Sequence, residues 1–163
     1  MAAAKRKNKS STASIEERWK SGEIDPCDLE PKFVDQLTPR ELGEVGELLA
    51  ITYIEEIGYS ILEHHYRCPE GEADIIAFDE NDDCVVLVEV KTRRSRGNGS
   101  GEMYPEEAVD RKKRRRYRRI AQCYLMDRYP VYSMRFDVVS VIIRCGCVGE
   151  VVHMRNAFDW EVE

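Results

Sequence analysis

An α/β domain built on a mixed sheet of about five strands, with helices packed against it, is the fold class this sequence predicts. Three observations lead there. A segment with helical periodicity and a capping signal comes first, then three short runs rich in β-branched and aromatic residues. A second helical stripe separates those runs from two more strand-like ones. The chain has 163 residues, 42% hydrophobic and 34% charged, which suffices for one ordinary core and is too short for two.

Residues 1 to about 37 combine a basic, Ser-rich start with Pro26, Pro31 and few periodic apolar positions. They read as a flexible or extended tail, with room for a short helix around Ser14 to Lys20, ahead of a domain spanning 38–163. Thr38-Pro39-Arg40-Glu41 is a capping box with proline at the first helical position, because Thr38 can accept from exposed amides and Glu41 can reach back. The first long helix should therefore run from about Pro39 to Ile57 and stop at Gly58. At ~100° per residue, Leu42, Leu49, Ala50, Tyr53 and Ile57 form its apolar arc, while Glu41, Glu44, Thr52 and Glu55 mark the wet side. Glu47 projects ~20° from Ile54, on the flank of the arc.

Tyr59 to Arg67, Ala73 to Phe78 and Val85 to Thr92 have strand composition, with a turn at Pro69-Glu70-Gly71 and a polar loop from Asp79 to Cys84. A hairpin pairing Asp79 with Cys84 also sets Asp74 opposite Glu89; a slip of one residue would break that pairing. Arg93 to Gly101 is a Gly-rich basic loop. Pro105 opens a second helix reaching about Arg128, where Tyr117, Ile120, Ala121, Tyr124 and Leu125 give the stripe of a helix lying on a sheet. Met134 to Ile143 is a fourth strand, Cys145-Gly146-Cys147 a turn, and Val148 to His153 the returning fifth.

No stretch approaches the ~20 apolar residues of a membrane span, and the basic N-terminus lacks an apolar signal-peptide core, so a cytoplasmic protein is expected. The six cysteines lack Cys-x-x-Cys spacing and read as thiols. Cys145-Gly146-Cys147 with His153 offers too few ligands for zinc. The net charge is −6, yet it is polarised: between Lys91 and Arg119 twelve basic residues face four acids, a local +8 that leaves −14 elsewhere. A basic surface beside carboxylates suits a phosphate backbone steered toward a metal.

Within the third strand, alternation sends Leu87, Glu89 and Lys91 to one face and Val86, Val88 and Val90 to the other. Opposed carboxylates at Asp74 and Glu89 destabilise a hairpin by up to ~1 kcal/mol unless a cation lies between them or a pKa shifts. Asp74, Glu89 and Lys91 meet the needs of phosphodiester hydrolysis: two carboxylates to hold Mg²⁺ and an ammonium for the attacking hydroxide, with the Val90 carbonyl as a further ligand. The plainer alternative is a same-face salt bridge between Glu89 and Lys91. His64 and His65 read as structural or surface groups, since neighbours on a strand face opposite ways and at most one could reach the site.

Gly43-x-x-Gly46-Glu47, Gly71-Glu72-Ala73-Asp74-Ile75-Ile76-Ala77, Val88-Glu89-Val90-Lys91-x-Arg93, Ala108-Val109 and Arg135-Phe136-Asp137 together resemble the YraN-like family of uncharacterised bacterial proteins, over roughly residues 40 to 158. That family is similar in turn to the PD-(D/E)XK nuclease superfamily, which includes archaeal Holliday-junction resolvases. The resemblance implies a restriction endonuclease-like mixed sheet flanked by helices. It makes Asp74 and Glu89 metal ligands, Lys91 the catalytic lysine, and Glu47 the helix carboxylate that completes the site. Ala73 stands where the superfamily motif has proline, which weakens the match at that position.

The resulting expectation is a Mg²⁺- or Mn²⁺-dependent nuclease acting on DNA, branched or single-stranded forms included, with RNA the less favoured substrate. A homodimer is compatible with it. Arg93, Arg94, Arg96, Arg111, Lys112, Lys113, Arg114, Arg115, Arg116, Arg118 and Arg119 are the expected phosphate contacts, because so many like charges on three turns repel unless an anion relieves them. The alternative is a nucleic-acid-binding or scaffold protein of the same fold that does not cleave.

Overall fold

The computed structural model describes residues 13–95, 109–128, 130–144 and 150–160. Two short helices, α1 (Ile15–Lys20) and α2 (Pro31–Gln36), lead into α3 (Pro39–Glu56). Thr38 Oγ1 accepts from the Glu41 amide and the Glu41 carboxylate accepts from the Thr38 amide, so the capping box starts α3 at Pro39. Gly58, at φ +91°, turns the chain out of the helix.

Three antiparallel strands follow: β1 (Tyr59–Cys68), β2 (Gly71–Asp79) and β3 (Cys84–Ser95). Helix α4 (Arg111–Asp127) then carries the chain to β4 (Met134–Arg144), which lies parallel to β3, and β5 (Val151–Phe158) closes the order β1-β2-β3-β4-β5. This is a five-stranded mixed sheet flanked by helices, the α/β architecture that the restriction endonuclease-like reading required. Asp79 pairs with Cys84 and Ile75 with Val88, the expected register, and the regular ladder ends one residue short of Asp74 and Glu89.

Alternation along β3 divides the core. Val86, Val88 and Val90 pack in the cluster of Val45, Leu48 and Ile54 from α3, whereas Leu87 joins Tyr117, Ile120 and Tyr124 of α4. Glu89 and Lys91 therefore belong to the α4 face. Gly46 brings α3 onto β3, because a Cβ there would overlap the side chain of Thr92.

Three expectations are corrected. The lead-in is no free tail from residue 13 onward: Ile15, Val34 and Leu37 are buried in the α3-side core, with Trp19, Ile24, Leu29 and Phe33 packed against it. Its few apolar residues lack periodicity because they insert singly. The apolar arc of α3 is correspondingly wider, taking in Val45, Leu48, Ile51 and Ile54, while Ile57 is 38% exposed. Helix α4 begins at Arg111 rather than Pro105; Asp110 caps it by accepting from the Lys113 amide, and Val109 is already buried outside it. Pro105 and the Cys145–Cys147 turn lie outside the described residues.

At the far end of the sheet from Lys91, a buried ionic network joins β2, β4 and β5. Asp137 accepts from Arg135 Nε at 3.0 Å and from the Asn156 amide at 2.9 Å, and lies 2.9 Å from His153 Nε2. Arg135 also binds Asp79, which accepts from Arg155 as well. Burial alone would raise both carboxyls, but for Asp137 the bonds from His153 and Arg135, and for Asp79 those from Arg135 and Tyr59, leave them below the ordinary range. The Tyr59 phenol is pushed up to about 12 by burial and by its bond to Asp79.

Candidate active site

Glu89 is 2% exposed, and its position on the inner strand β3 is what buries it. Lys91, two residues along the same face, sets Nζ 2.9 Å from Glu89 Oε1. The Asp110 cap fixes the first turn of α4, and from that turn Lys113 donates to the same oxygen. The other oxygen, Glu89 Oε2, is buried with no hydrogen-bond partner. Burial pushes the Lys113 amine down, the charge of Asp74 opposes that shift, and Arg116 adds to it. Lys113, grouped by sequence with the phosphate contacts, lies four residues before Tyr117 and seven before Ile120, on the buried stripe of α4, and that spacing is the signal that turns it inward.

Asp74 sits where the β2–β3 ladder stops, and its Oδ2 accepts from the Val90 amide at 2.8 Å. A carboxylate thus stands in for a main-chain partner. In an extended strand the amide and carbonyl of one residue point to the same edge, so the Val90 carbonyl is directed toward Asp74 too. Burial raises the Asp74 carboxyl, the Val90 amide partly offsets that, the charge of Glu47 raises it further, and Lys113 and Lys91 act the other way. Beneath it, burial and then the Asp74 charge push the Tyr117 phenol well above its ordinary range.

Glu47 approaches from α3 and makes its close contacts with histidine. Its Oε2 lies 3.2 Å from His64 Nε2 and 3.4 Å from His65 Nε2, so both rings reach the carboxylate that the sequence placed in the site. The alternation argument fails at one residue: His65 has φ +56°, and β1 shifts register between Ile61 and Glu63. Such backbone breaks the two-residue period. Among the described residues, Glu47, Asp74 and Glu89 do not form a trio of carboxylates within 4.8 Å of one another.

The donor set around Glu89 fits a hard divalent cation. Asp74 and Glu89 offer carboxylate oxygens, the Val90 carbonyl faces the same edge, and Glu89 Oε2 is an orphaned buried acceptor. Arg111, Lys112, Arg115, Arg116 and Arg119 are exposed along α4, and Arg93 is exposed on β3. Arg118 donates to the Asp159 carbonyl and Arg114 to the Val109 carbonyl, so both are partly tied down. Arg94 is turned inward, donating to the carbonyls of Val34 at 2.5 Å and Leu37 at 3.2 Å, which closes the end of α2 rather than facing a ligand. Arg96 lies outside the described residues.

The model of the family described as Uncharacterised protein family UPF0102 matches residues 46–141. A UPF0102 protein of Dictyoglomus thermophilum is 38% identical over 121 residues, covering 73% of this chain and 98% of its own length. One from Moorella thermoacetica is 44% identical over 124 residues, covering 75% and 98%. Among solved structures, an EndoMS–dsDNA complex aligns with TM-score 0.36 and 18% identity over 58% of this chain and 34% of its own. Pyrococcus furiosus SfsA in complex with Ca²⁺ aligns with TM-score 0.26 and 9% identity over 71% and 62%. Both structural likenesses are weak.

Proposed function

This chain belongs to the family UPF0102, and from the chemistry gathered around Glu89 we propose that it is a Mg²⁺- or Mn²⁺-dependent nuclease hydrolysing DNA phosphodiester bonds. The observation that carries the reading is the orphaned, buried Glu89 Oε2 beside Asp74 and two lysines. A buried carboxylate oxygen without a donor costs about 1–3 kcal/mol or more, a cost that ligation by a cation removes. Asp74, Glu89 and the Val90 carbonyl would hold the ion, and Glu47 would act from α3 through its charge on Asp74.

A divalent ion there supplies Lewis acidity and lowers the pKa of bound water. The chain's own groups do the rest. Lys91 and Lys113 are ammonium groups that can turn from Glu89 to the phosphate and offset charge building in the transition state. Exposed Arg93, Arg111, Lys112, Arg115, Arg116 and Arg119 would hold the backbone without reading bases. Access to single-stranded or branched DNA is part of the proposal.

One observation favours the non-catalytic binder instead: Lys91 and Lys113 both already neutralise Glu89 Oε1. Cleavage of labelled duplex, single-stranded and four-way-junction DNA with Mg²⁺, Mn²⁺ or EDTA separates the two, comparing the natural chain with Glu89→Gln. Metal-dependent cutting lost in the variant supports the nuclease and ranks its substrates. Binding by both proteins with cutting by neither gives the binding module the lead.

A further inference from the structure

A second cluster gathers around Glu47, in a pocket between α1, α3 and β1 whose lining includes Ser14, Glu16, Glu44, Glu47, His64 and His65. The rings of His64 and His65 stack with centroids 3.8 Å apart, held by the left-handed backbone at His65. All four ring nitrogens face carboxylates. His64 Nδ1 lies 3.6 Å from Glu16 Oε1 and Nε2 3.2 Å from Glu47 Oε2. His65 Nε2 lies 3.4 Å from Glu47 Oε2 and Nδ1 3.0 Å from Glu72 Oε1.

A neutral imidazole carries one N–H, so a neutral pair can donate to only two of these four contacts. The other two set a nitrogen lone pair against a carboxylate oxygen, which repels. Protonating both rings would satisfy all four at the expense of two like charges 3.8 Å apart. A metal ion resolves the conflict, since it binds the lone pairs of both imidazole and carboxylate while the remaining N–H groups keep their acceptors.

The geometry points to Glu16, His64 and His65 as the ligands of a first-row transition-metal ion, Zn²⁺ by ligand chemistry, with Glu47 accepting from His64 Nε2 to orient the ring. One ligand atom from each of the three residues lies within 4.8 Å of the other two. Two imidazoles and a carboxylate are a borderline-soft set that selects Zn²⁺ over Mg²⁺ and leaves a fourth position open. A ligating histidine whose other nitrogen donates to a carboxylate is the usual supporting arrangement. Three glutamates around two rings also give the pocket a negative field. Lys20 competes for Glu16 Oε1 at 2.7 Å, but its side chain is 66% exposed and swings away freely. Arg40 and Arg67, the other cations nearby, are engaged by Glu44 and Glu72.

Glu16 lies before the family-matched span of 46–141, while His64 and His65 lie inside it. The ion would therefore staple the lead-in of this chain to the sheet. The site does not depend on the nuclease reading, and its test uses no nucleic acid. Zn²⁺ is titrated into the full chain by calorimetry, Co²⁺ is followed by visible absorption, and the melting temperature is recorded with and without Zn²⁺. The variants are Glu16→Gln, His64→Gln and His65→Asn, the last because asparagine tolerates the left-handed backbone; Glu55→Gln, an exposed carboxylate of α3 outside the cluster, is the control.

The expected result is one Zn²⁺ per chain and a Co²⁺ spectrum without a thiolate charge-transfer band. Affinity should fall at least tenfold in each of the three variants, whose Zn²⁺-dependent rise in melting temperature also disappears, while Glu55→Gln behaves like the natural chain. No saturable Zn²⁺ binding by the natural chain, equal binding by the three variants, or an equal loss of binding in Glu55→Gln would each overturn the site.

Discussion

Lys113 donates to Glu89 across 24 residues of sequence, so that a helix from the basic segment and a strand from the sheet share one buried carboxylate oxygen. Lys91 binds that oxygen too, and a divalent ion at Glu89 must compete with both ammonium groups. Lys113→Met removes one competitor while keeping the aliphatic packing. Mn²⁺ affinity, read by electron paramagnetic resonance titration, should rise severalfold, while cleavage falls because a transition-state cation is lost. Weaker Mn²⁺ binding would show that Lys113 builds the site instead of guarding it.

Asp74 is held above the ordinary carboxylate range chiefly by burial, with the charge of Glu47 adding to it. A raised folded-state pKa means that the native protein binds the proton more tightly than the unfolded chain. The stability linked to Asp74 is therefore fully present below its unfolded value, about 3.9, and is lost as pH rises through the folded value. Asp74→Asn keeps an acceptor for the Val90 amide and removes the buried charge. The variant should melt higher than the natural chain at neutral pH, with the gap closing as the pH approaches 4, and should not cleave. A lower melting point at neutral pH would contradict the assignment of burial as the cause.

Asp137 behaves the other way. Its pKa is depressed, because the bonds from His153 and Arg135 outweigh burial. Its contribution is present above the unfolded value and is lost as pH falls through the folded one. Asp137→Ala strands Arg135 and His153 beneath the sheet and should cost about 3–5 kcal/mol in urea unfolding. The variant should also lose part of the acid-induced drop in stability of the natural chain, the rest remaining with Asp79 and the other carboxyls held low. A cost below ~1 kcal/mol would mean that the network relaxes onto Asp79.

Removing residues 1–37 deletes Ile15, Val34 and Leu37 from the core. At about 1.5–3 kcal/mol for each fully buried large apolar side chain, the truncated chain should lose several kcal/mol and expose the outer face of α3. Calorimetry on the two proteins decides it, and a melting point unchanged within a degree or two would count against that packing.

Gly46→Ala sets a Cβ into the Thr92 side chain. Overpacking of this type costs about 1–3 kcal/mol, and because Gly46 adjoins Glu47 the displacement of α3 also shifts that carboxylate. Thr92→Gly clears the contact. The double variant should be more stable than the two single losses predict by addition, by about 0.5 kcal/mol or more; simple additivity would separate Gly46 from Thr92.

Sequence by itself determined the strand and helix order, the register of β2 on β3, and the division of β3 into a valine face and a Glu89–Lys91 face. Each follows from a local period or a local signal: two-residue alternation, the polar Asp79–Cys84 loop, and the Thr38–Glu41 box. The facing of Asp74 toward the edge near Glu89 was legible for the same reason. Only the tertiary structure decided which distant groups join them. Lys113, on the Tyr117–Ile120 stripe of α4, meets Glu89 where that helix lies on the sheet; Arg94 is captured by carbonyls at the end of α2; and both histidines meet Glu47 because one residue adopts left-handed backbone. The lead-in packs through single apolar insertions that leave no periodic trace. Periodicity records which face of an element is buried, but what lies across from that face depends on where other elements are brought, and no local pattern encodes it.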